Sequence, residues 1–309
     1  MLGFGMTGQQ DLGVFQSAAR RSEDEIAASG AHVYDFGCKN WERYHATMDQ
    51  IMFCRPHTRS HAFGTSLRVG GPGPEIGFTR TLARSLHTTS LGRDFAIIKV
   101  ALGGSPVKHW APGGYLWELL KKTVTAAQAD HNFSTAIAGH KCSVNCGLAV
   151  DPPTCIRVRG LVWYQGEHEQ KWAASAPLWA HHFVRLVQGV ADTVGHNDFG
   201  VVIGQTLPYP ALRGVNGTEY SVSTLNMSEG GRTVRDQQAM AVGRLSLMNV
   251  PSALVHLDDA SLLQTTSRFK EQVHLDVPGV DLAGERFAHA MVRLFNPQIA
   301  QLTAQLQQR

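Results

Sequence analysis

Two short stretches of the chain hold residue types that could carry out acyl-transfer chemistry. In the first, Glu271 stands three residues before His274. A carboxylate at that spacing can accept a hydrogen bond from the imidazole and fix its tautomer and orientation. The pair therefore has the composition of the base half of a hydrolase triad. For a single such pair, a helix-capping loop with an exposed histidine is the more common explanation.

The second stretch reads RGLVWYQGEHE over residues 159–169. Its apolar run has the length of a buried strand in a parallel sheet. The polar residues 165–168 would then lie at the carboxyl end of that strand, where open α/β sheets bind their ligands. Gly166 permits a sharp turn and a close approach of the backbone to a ligand. The structural alternative is a strand followed by a solvated helix cap.

Strand-like and helix-like segments alternate about five times along the chain, which predicts a parallel sheet with helices on both faces. The predicted strands are 1–7, 95–102, 159–164, 201–207 and 252–257. The predicted helices are 14–29, 74–86, 115–130, 177–192, 232–246 and 279–308. Residues 31–74 are predicted to be rich in loops, and 131–156 to be an insertion that contains cysteines. No boundary divides the chain, so one domain over 1–309 is expected.

The composition is that of a globular protein of enzyme size. The 309 residues are 43% hydrophobic and 17% charged, which allows a large core and excludes a disordered chain. The net charge is +3 without a basic cluster, so nucleic acid is not the expected partner. No apolar run approaches the ~18 residues of a membrane span. No secretory signal precedes the first predicted strand, so either the protein is cytosolic or its N-terminal targeting segment is not included in this sequence, and its location stays open.

The cysteines and histidines give only a weak indication of a metal site. There are five cysteines, and three of them cluster near His140. An odd number argues against a complete disulfide framework, and the spacing of the cluster is not typical of zinc. One local disulfide or free thiols are expected instead. A metal-dependent hydrolase is disfavoured because the fifteen histidines include no paired-ligand motif such as HExxH. The clustered cysteines are Cys142, Cys146 and Cys155.

Several motifs, in their order along the chain, resemble the sialate O-acetylesterase-like branch of the SGNH hydrolases. This family of carbohydrate esterases includes acetylxylan esterases. The resemblance implies a flavodoxin-like three-layer α/β/α sandwich with a five-stranded parallel sheet and long loop insertions. It implies an acetylated carbohydrate as substrate and no metal or organic cofactor. The matching motifs are GPEIGFTRTLA (73–83), IIKVALGGS (97–105), GLVWYQGEHE (160–169), VRDQQ (234–238) and HLDVPGVDLAGERFAHA (274–290).

The resemblance also implies roles for individual residues. His274 would be the general base, and Glu271 its orienting acid, where the family usually has aspartate. The backbone N–H groups around Gly103 and Gly104 and the side-chain amide of Gln165 would form an oxyanion hole. Glu167 would brace the site or contact sugar hydroxyls. By position, Trp110 is either an apolar wall against a sugar ring or a core residue.

The departure from the family is at the nucleophile. The family's first motif is GQSNM, and the matching stretch here is GQQDL over residues 8–12, so Gln10 occupies the serine position. An amide cannot act as the nucleophile in acyl transfer, which needs an activated hydroxyl, thiol or similar group. A shifted register would offer the hydroxyl of Thr7, but it matches the motif less well. Ser105 is a further hydroxyl, in a neighbourhood that the family uses for the oxyanion hole.

Two functions follow from this pattern. The chain is either a carbohydrate O-acetylesterase whose catalysis is impaired or absent, or an inactive member that serves as a structural or binding subunit in a protein assembly. The His274 pair and the QGE motif favour the first function, and Gln10 favours the second. The sequence leaves enzymatic activity, the sugar and any protein partner open.

Overall fold

The structure is a computed structural model. It describes residues 32–35, 40–43, 74–87, 95–102, 104–129, 158–207, 227–257, 275 and 277–295. The strands are β1 (His32–Asp35), β2 (Asn40–Arg43), β3 (Ala96–Lys99), β4 (Gly160–Tyr164), β5 (Gly200–Gly204) and β6 (Ser252–Val255). The α-helices are α1 (Glu75–His87), α2 (Trp117–Ala129), α3 (Glu167–Lys171), α4 (Trp179–Val194), α5 (Glu229–Leu247) and α6 (Val277–Phe295). Two short 3₁₀ turns cover Val107–His109 and Ala176–Leu178.

The described strands form two sheets of three. In one sheet β1 lies between β2 and β3, with β2 antiparallel and β3 parallel to it. In the other sheet the order is β4, β5, β6, and both ladders are parallel. The connections between β4, β5 and β6 contain helices, as parallel crossovers require. Each of these three strands therefore ends at the same edge of the sheet.

The central strand β5 is covered by apolar side chains on both faces, and all five of its residues are buried. Val201 and Ile203 belong to a core that also contains Phe183 of α4 and Leu245 of α5. The intervening Val202 belongs to a second core, which is formed with α6 and α1. This alternation follows from the two-residue period of a strand. The sheet is consequently the middle of three layers.

Helices α1 and α6 cross at very short distance because both carry glycine at the contact. A Cβ on Gly77 would lie 2.0 Å from Asp281 O, and one on Gly284 would lie 2.0 Å from Pro74 O. Beside this crossing, Arg80 forms ion pairs with Asp281 and Glu285. The ion pairs fix the relative register of the two helices along the crossing.

The α/β class predicted from the sequence is confirmed, as are the predicted strands at β3, β4, β5 and β6 and the helices at α1, α2, α4 and α5. Within 31–74, which the sequence predicts to be rich in loops, the structure adds the two short strands β1 and β2, and apart from Pro74 the rest of that range lies outside the described residues. The antiparallel β2 also departs from a sheet that is wholly parallel. Residues 1–7, 14–29 and 131–156 lie outside the described residues, so the predictions for them stay predictions, as does a single domain over 1–309.

We expect Gly284→Ala to lower the free energy of unfolding by about 2 kcal/mol or more, because the added methyl group would overlap the backbone of α1. The matched control is Gly243→Ala, at an exposed position in the interior of α5 where a Cβ would meet nothing within 4 Å. That change should stabilise the protein by up to about 1 kcal/mol through helix propensity. Urea unfolding of both variants measures the difference, and equal midpoints would contradict the close crossing.

Candidate active site

The side chain of Gln165, directly after β4, is held by three hydrogen bonds. Its Nε2 donates to Ser105 O at 3.0 Å and to Glu169 Oε2 at 2.8 Å. Its Oε1 accepts from Trp179 Nε1 at 3.3 Å. Both amide hydrogens are thus engaged within the protein. To donate to an oxyanion, as predicted from the resemblance, the amide would have to release one of these acceptors.

Glu169 ties the loop that follows β3 to the polar motif that follows β4. Its Oε1 accepts from Val107 N at 2.6 Å, and its Oε2 accepts from Gln165. The residue is only 2% exposed. Burial raises the pKa of this carboxyl, while the hydrogen bonds from Val107 and Gln165 oppose that rise. Sequence reasoning gave the bracing role to Glu167 and did not identify Glu169.

Glu167 occupies the first turn of α3, and among the described residues only one of its two carboxylate oxygens accepts a hydrogen bond. Its Oε2 accepts from Gly166 N at 3.0 Å. Its Oε1 is shielded from solvent and has no hydrogen-bond partner among the residues that the structure describes. Burial, and to a smaller extent the charge of Glu169, raise the pKa of Glu167 to about 7, against the backbone N–H groups of Glu167 and Gly166. The predicted contact of Glu167 with sugar hydroxyls stays a prediction.

Gly104 marks the exposed point of the loop after β3. It has a φ of 71°, a left-handed conformation that glycine adopts without strain. Its carbonyl lies 3.0 Å from Nδ1 of His168. A carbonyl can only accept, so Nδ1 carries the hydrogen, and Nε2 of the neutral ring is left as an acceptor. Gly103, the other predicted oxyanion residue of this loop, lies outside the described residues.

The hydroxyl of Ser105 has a structural role. Ser105 Oγ donates to Leu102 O at 2.7 Å and accepts from Trp110 Nε1 at 2.8 Å. Trp110 is 1% exposed and packs edge-on against Trp163, with ring centroids 6.1 Å apart. Of the two interpretations of Trp110, the structure therefore supports the core residue and not the wall of a sugar site.

A second set of polar groups, from α5 and from the chain after β5, contacts the backbone of the QGE motif. Gln238, fully buried in α5, accepts from Thr206 N at 3.1 Å and donates to Gln165 O at 3.2 Å. This amide connects the chain after β4 with the chain after β5. Gly166 passes close to the same groups, since a Cβ there would lie 2.8 Å from Val234 Cγ1 and 2.9 Å from Thr206 Cγ2. The VRDQQ motif thus contributes to the site through Val234 and Gln238.

A further polar pair follows β5 and β6 at the same edge. Nδ1 of His256 lies 2.7 Å from Oε1 of Gln205, and Gln205 N donates to Val255 O at 2.8 Å. An amide oxygen accepts, so Nδ1 of His256 donates. Sequence reasoning missed both residues. The signal available was their polar type near the carboxyl ends of the predicted strands 201–207 and 252–257, which is where the sheet brings polar side chains together.

The predicted catalytic residues Gln10, Thr7, Glu271 and His274 lie outside the described residues, so their roles stay predictions. The same is true of all five cysteines and of the zinc alternative. Within the part of the chain that the structure describes, no group of three or more His, Cys, Asp or Glu side chains could hold a metal ion. No helix in that part is long and apolar enough to cross a membrane.

The three layers and the polar carboxyl edge of the sheet are those of an α/β protein with a flavodoxin-like fold. The crystal structure of a protein from Arabidopsis thaliana has this fold, with a TM-score of 0.55 at 18% identity over 88% of this chain and 85% of that one. The profile of the family described as carbohydrate esterase, sialic acid-specific acetylesterase matches residues 38–293. The chain therefore belongs to this family of carbohydrate esterases.

Membership confirms the resemblance inferred from the motifs. The matched range includes the motifs from GPEIGFTRTLA to the segment of His274, and it begins after Thr7 and Gln10. No curated protein matches the chain.

We expect Glu169→Gln to lower the free energy of unfolding by about 2 kcal/mol at pH 8, because one charge-assisted hydrogen bond is lost and an N–H group then faces another donor. Chemical unfolding monitored by tryptophan fluorescence measures this. Glu118→Gln, at an exposed position on α2, is the control and should leave the midpoint unchanged. A loss no larger than that of the control would contradict the bracing role of Glu169.

The pKa of Glu167 predicts that stability falls as the pH rises from about 5 to about 8. Over that range the unfolded chain has released the proton, since the ordinary pKa is 4.5, whereas the folded protein holds it until about pH 7. Protonated Glu167 contributes up to ~3 kcal/mol to the free energy of unfolding, and this contribution is fully present only below the pKa of Glu167 in the unfolded chain. Glu167→Gln should flatten this slope, and Glu229→Gln should not. Urea unfolding at a series of pH values measures the free energy of unfolding of each variant. If that free energy falls with pH equally in Glu167→Gln and in the wild type, the raised pKa does not belong to Glu167.

Proposed function

We propose that the protein is a carbohydrate O-acetylesterase of the SGNH type whose catalysis is impaired because Gln10 stands at the position of the nucleophile serine. The single observation that supports this proposal most directly is the Gln165 clamp, in which the side-chain amide of Gln165 is hydrogen-bonded to Ser105, Glu169 and Trp179. The buried carboxylate of Glu169 keeps this amide in one orientation at the carboxyl edge of the sheet.

In this proposal the carboxyl edge binds the acetyl ester and His274 acts as the general base. Glu271 accepts a hydrogen bond from the imidazole and stabilises the imidazolium that forms. The N–H groups of Gly103 and Gly104 stabilise the tetrahedral oxyanion, and Gln165 joins them when it releases one of its internal acceptors. Glu167 braces the site through the bond from Gly166 N to its Oε2, or contacts sugar hydroxyls.

The proposal assigns the slow step to nucleophilic attack. With Gln10 in place, the chain needs another hydroxyl, and Thr7 is the alternative nucleophile that the sequence offers near this position. Without one, His274 has no hydroxyl to deprotonate, and turnover falls by several orders of magnitude.

The second candidate function is an inactive subunit that binds a carbohydrate or a protein partner in a larger assembly. The observation that favours it is Gln10 itself, together with Asp11 at the position of the family's asparagine. This function needs the fold and the cleft but no nucleophile.

We expect Gln10→Ser to raise the rate of p-nitrophenyl acetate hydrolysis by about tenfold or more above the wild type, because a serine at this position restores a hydroxyl for His274 to activate. The matched control is Gln9→Ser, which places the same hydroxyl one residue away and should not change the rate. His274→Ala in the Gln10→Ser background should remove the gain.

Two results separate the alternatives. A low wild-type activity that His274→Ala abolishes contradicts the inactive-subunit function. A high wild-type activity that Thr7→Val abolishes contradicts the impairment and makes Thr7 the nucleophile. If Gln10→Ser gives no gain, position 10 does not hold the nucleophile in this fold.

A further inference from the structure

Two aromatic side chains beside the site are left in solvent. Trp172 is 57% exposed and Tyr115 is 50% exposed, and among the Phe, Tyr and Trp side chains whose exposure the structure describes they are the only exposed ones. The other four tryptophans whose side chains the structure describes are buried. An exposed indole forgoes the free energy of burial, which makes a pair of such rings at a polar edge a feature of binding surfaces.

A histidine of the site packs against each of these rings. The rings of His168 and Trp172 have centroids 6.4 Å apart, and those of His109 and Tyr115 have centroids 4.4 Å apart. His168 is the residue that contacts Gly104 O. The backbones of the paired segments are also joined, because Trp172 N donates to His168 O at 3.1 Å and Leu116, next to Tyr115, donates from N to His109 O at 2.9 Å.

The two pairs belong to one rigid edge. His109 ends the 3₁₀ turn that begins at Val107, and His168 lies in α3. These two segments are joined by the buried bond from Val107 N to Glu169. The proximity of the two imidazoles is also visible in their electrostatics, since burial, Lys108 and His168 together lower the pKa of His109. Trp172 is thus connected to the loop of Gly104 through His168, and Tyr115 is connected to the same edge through His109.

The chemistry of this surface suits a sugar ring. One face of a pyranose presents C–H groups, which pack against the electron-rich face of an indole or phenol ring. Its hydroxyls need donors and acceptors at the rim, and Nε2 of His168 supplies an acceptor there. A lone acetyl group would need no such surface.

We propose that Trp172 and Tyr115, with His168 and His109 behind them, form a subsite that holds the sugar ring of an acylated carbohydrate beside Gly104. The inference rests on the proposed function for the class of ligand. It assigns the aromatic rings to recognition of the alcohol part of the ester, and it does not depend on whether a nucleophile is present at position 10.

Saturation-transfer NMR with methyl 6-O-acetyl-α-D-glucopyranoside tests the subsite without requiring turnover. We expect transfer to the C–H groups of the ring, and a dissociation constant that rises about fivefold or more in Trp172→Ala and in Tyr115→Ala. Trp172→Phe and Tyr115→Phe keep an aromatic face and should retain most of the binding. Leu247→Ala, at an 87% exposed apolar position on α5, is the matched control and should leave binding unchanged.

The outcomes distinguish this inference from the proposed function. Binding that both alanine variants retain overturns the subsite, whatever the esterase activity. Absence of binding in a protein that hydrolyses p-nitrophenyl acetate through His274 also overturns it. Sugar binding that the aromatic variants lose, in a protein without esterase activity even as Gln10→Ser, supports the subsite and contradicts the esterase.

Discussion

The buried carboxylate of Glu169 is the group on which the geometry of the site depends. One oxygen accepts from the backbone of the loop after β3, and the other accepts from the side chain that follows β4. A carboxylate withdrawn from water is costly unless its oxygens are hydrogen-bonded, so both donors are held where they are needed. The loop of Gly104 and the QGE motif consequently keep one relative position.

The other polar groups at this edge of the sheet are positioned by contacts that follow from the bonds of Glu169. Gln165 is oriented by Glu169, and its backbone oxygen is in turn bound by Gln238 of α5. Gly166 can pass between Val234 and Thr206 only because it lacks a Cβ. Glu167 then comes to lie with one oxygen enclosed and without a partner among the described residues, which is why its pKa is raised to about 7. Each of these features is a consequence of packing around a fixed strand end.

The strands and helices that were predicted correctly from the sequence are those with a strong local pattern of apolar residues. The strands β4 and β5 and the helices α4 and α5 carry apolar residues in continuous runs or at helical spacing, and both signals are local. The strands β1 (HVYD) and β2 (NWER) are four residues long and mix polar with apolar residues, so no period marks them. Glu169 could not be identified because its partner Val107 is 62 residues away in the chain. Which of two neighbouring glutamates turns inward is decided by the short helix α3, whose sequence EHEQK has no apolar stripe.

The hydrogen bonds that shape the site join residues of the folded chain to one another. Gln165 contacts Ser105, Glu169 and Trp179, while Glu169 contacts Val107 and Gln165. All five of these residues belong to the part of the chain that the structure describes, and their bonds are made to one another. The free energy that orders this edge of the sheet therefore comes from burial and internal hydrogen bonds, which form whether or not a reaction takes place there. The geometry of the QGE motif is consequently a property of the scaffold, and reactivity is a separate property of the residues around it.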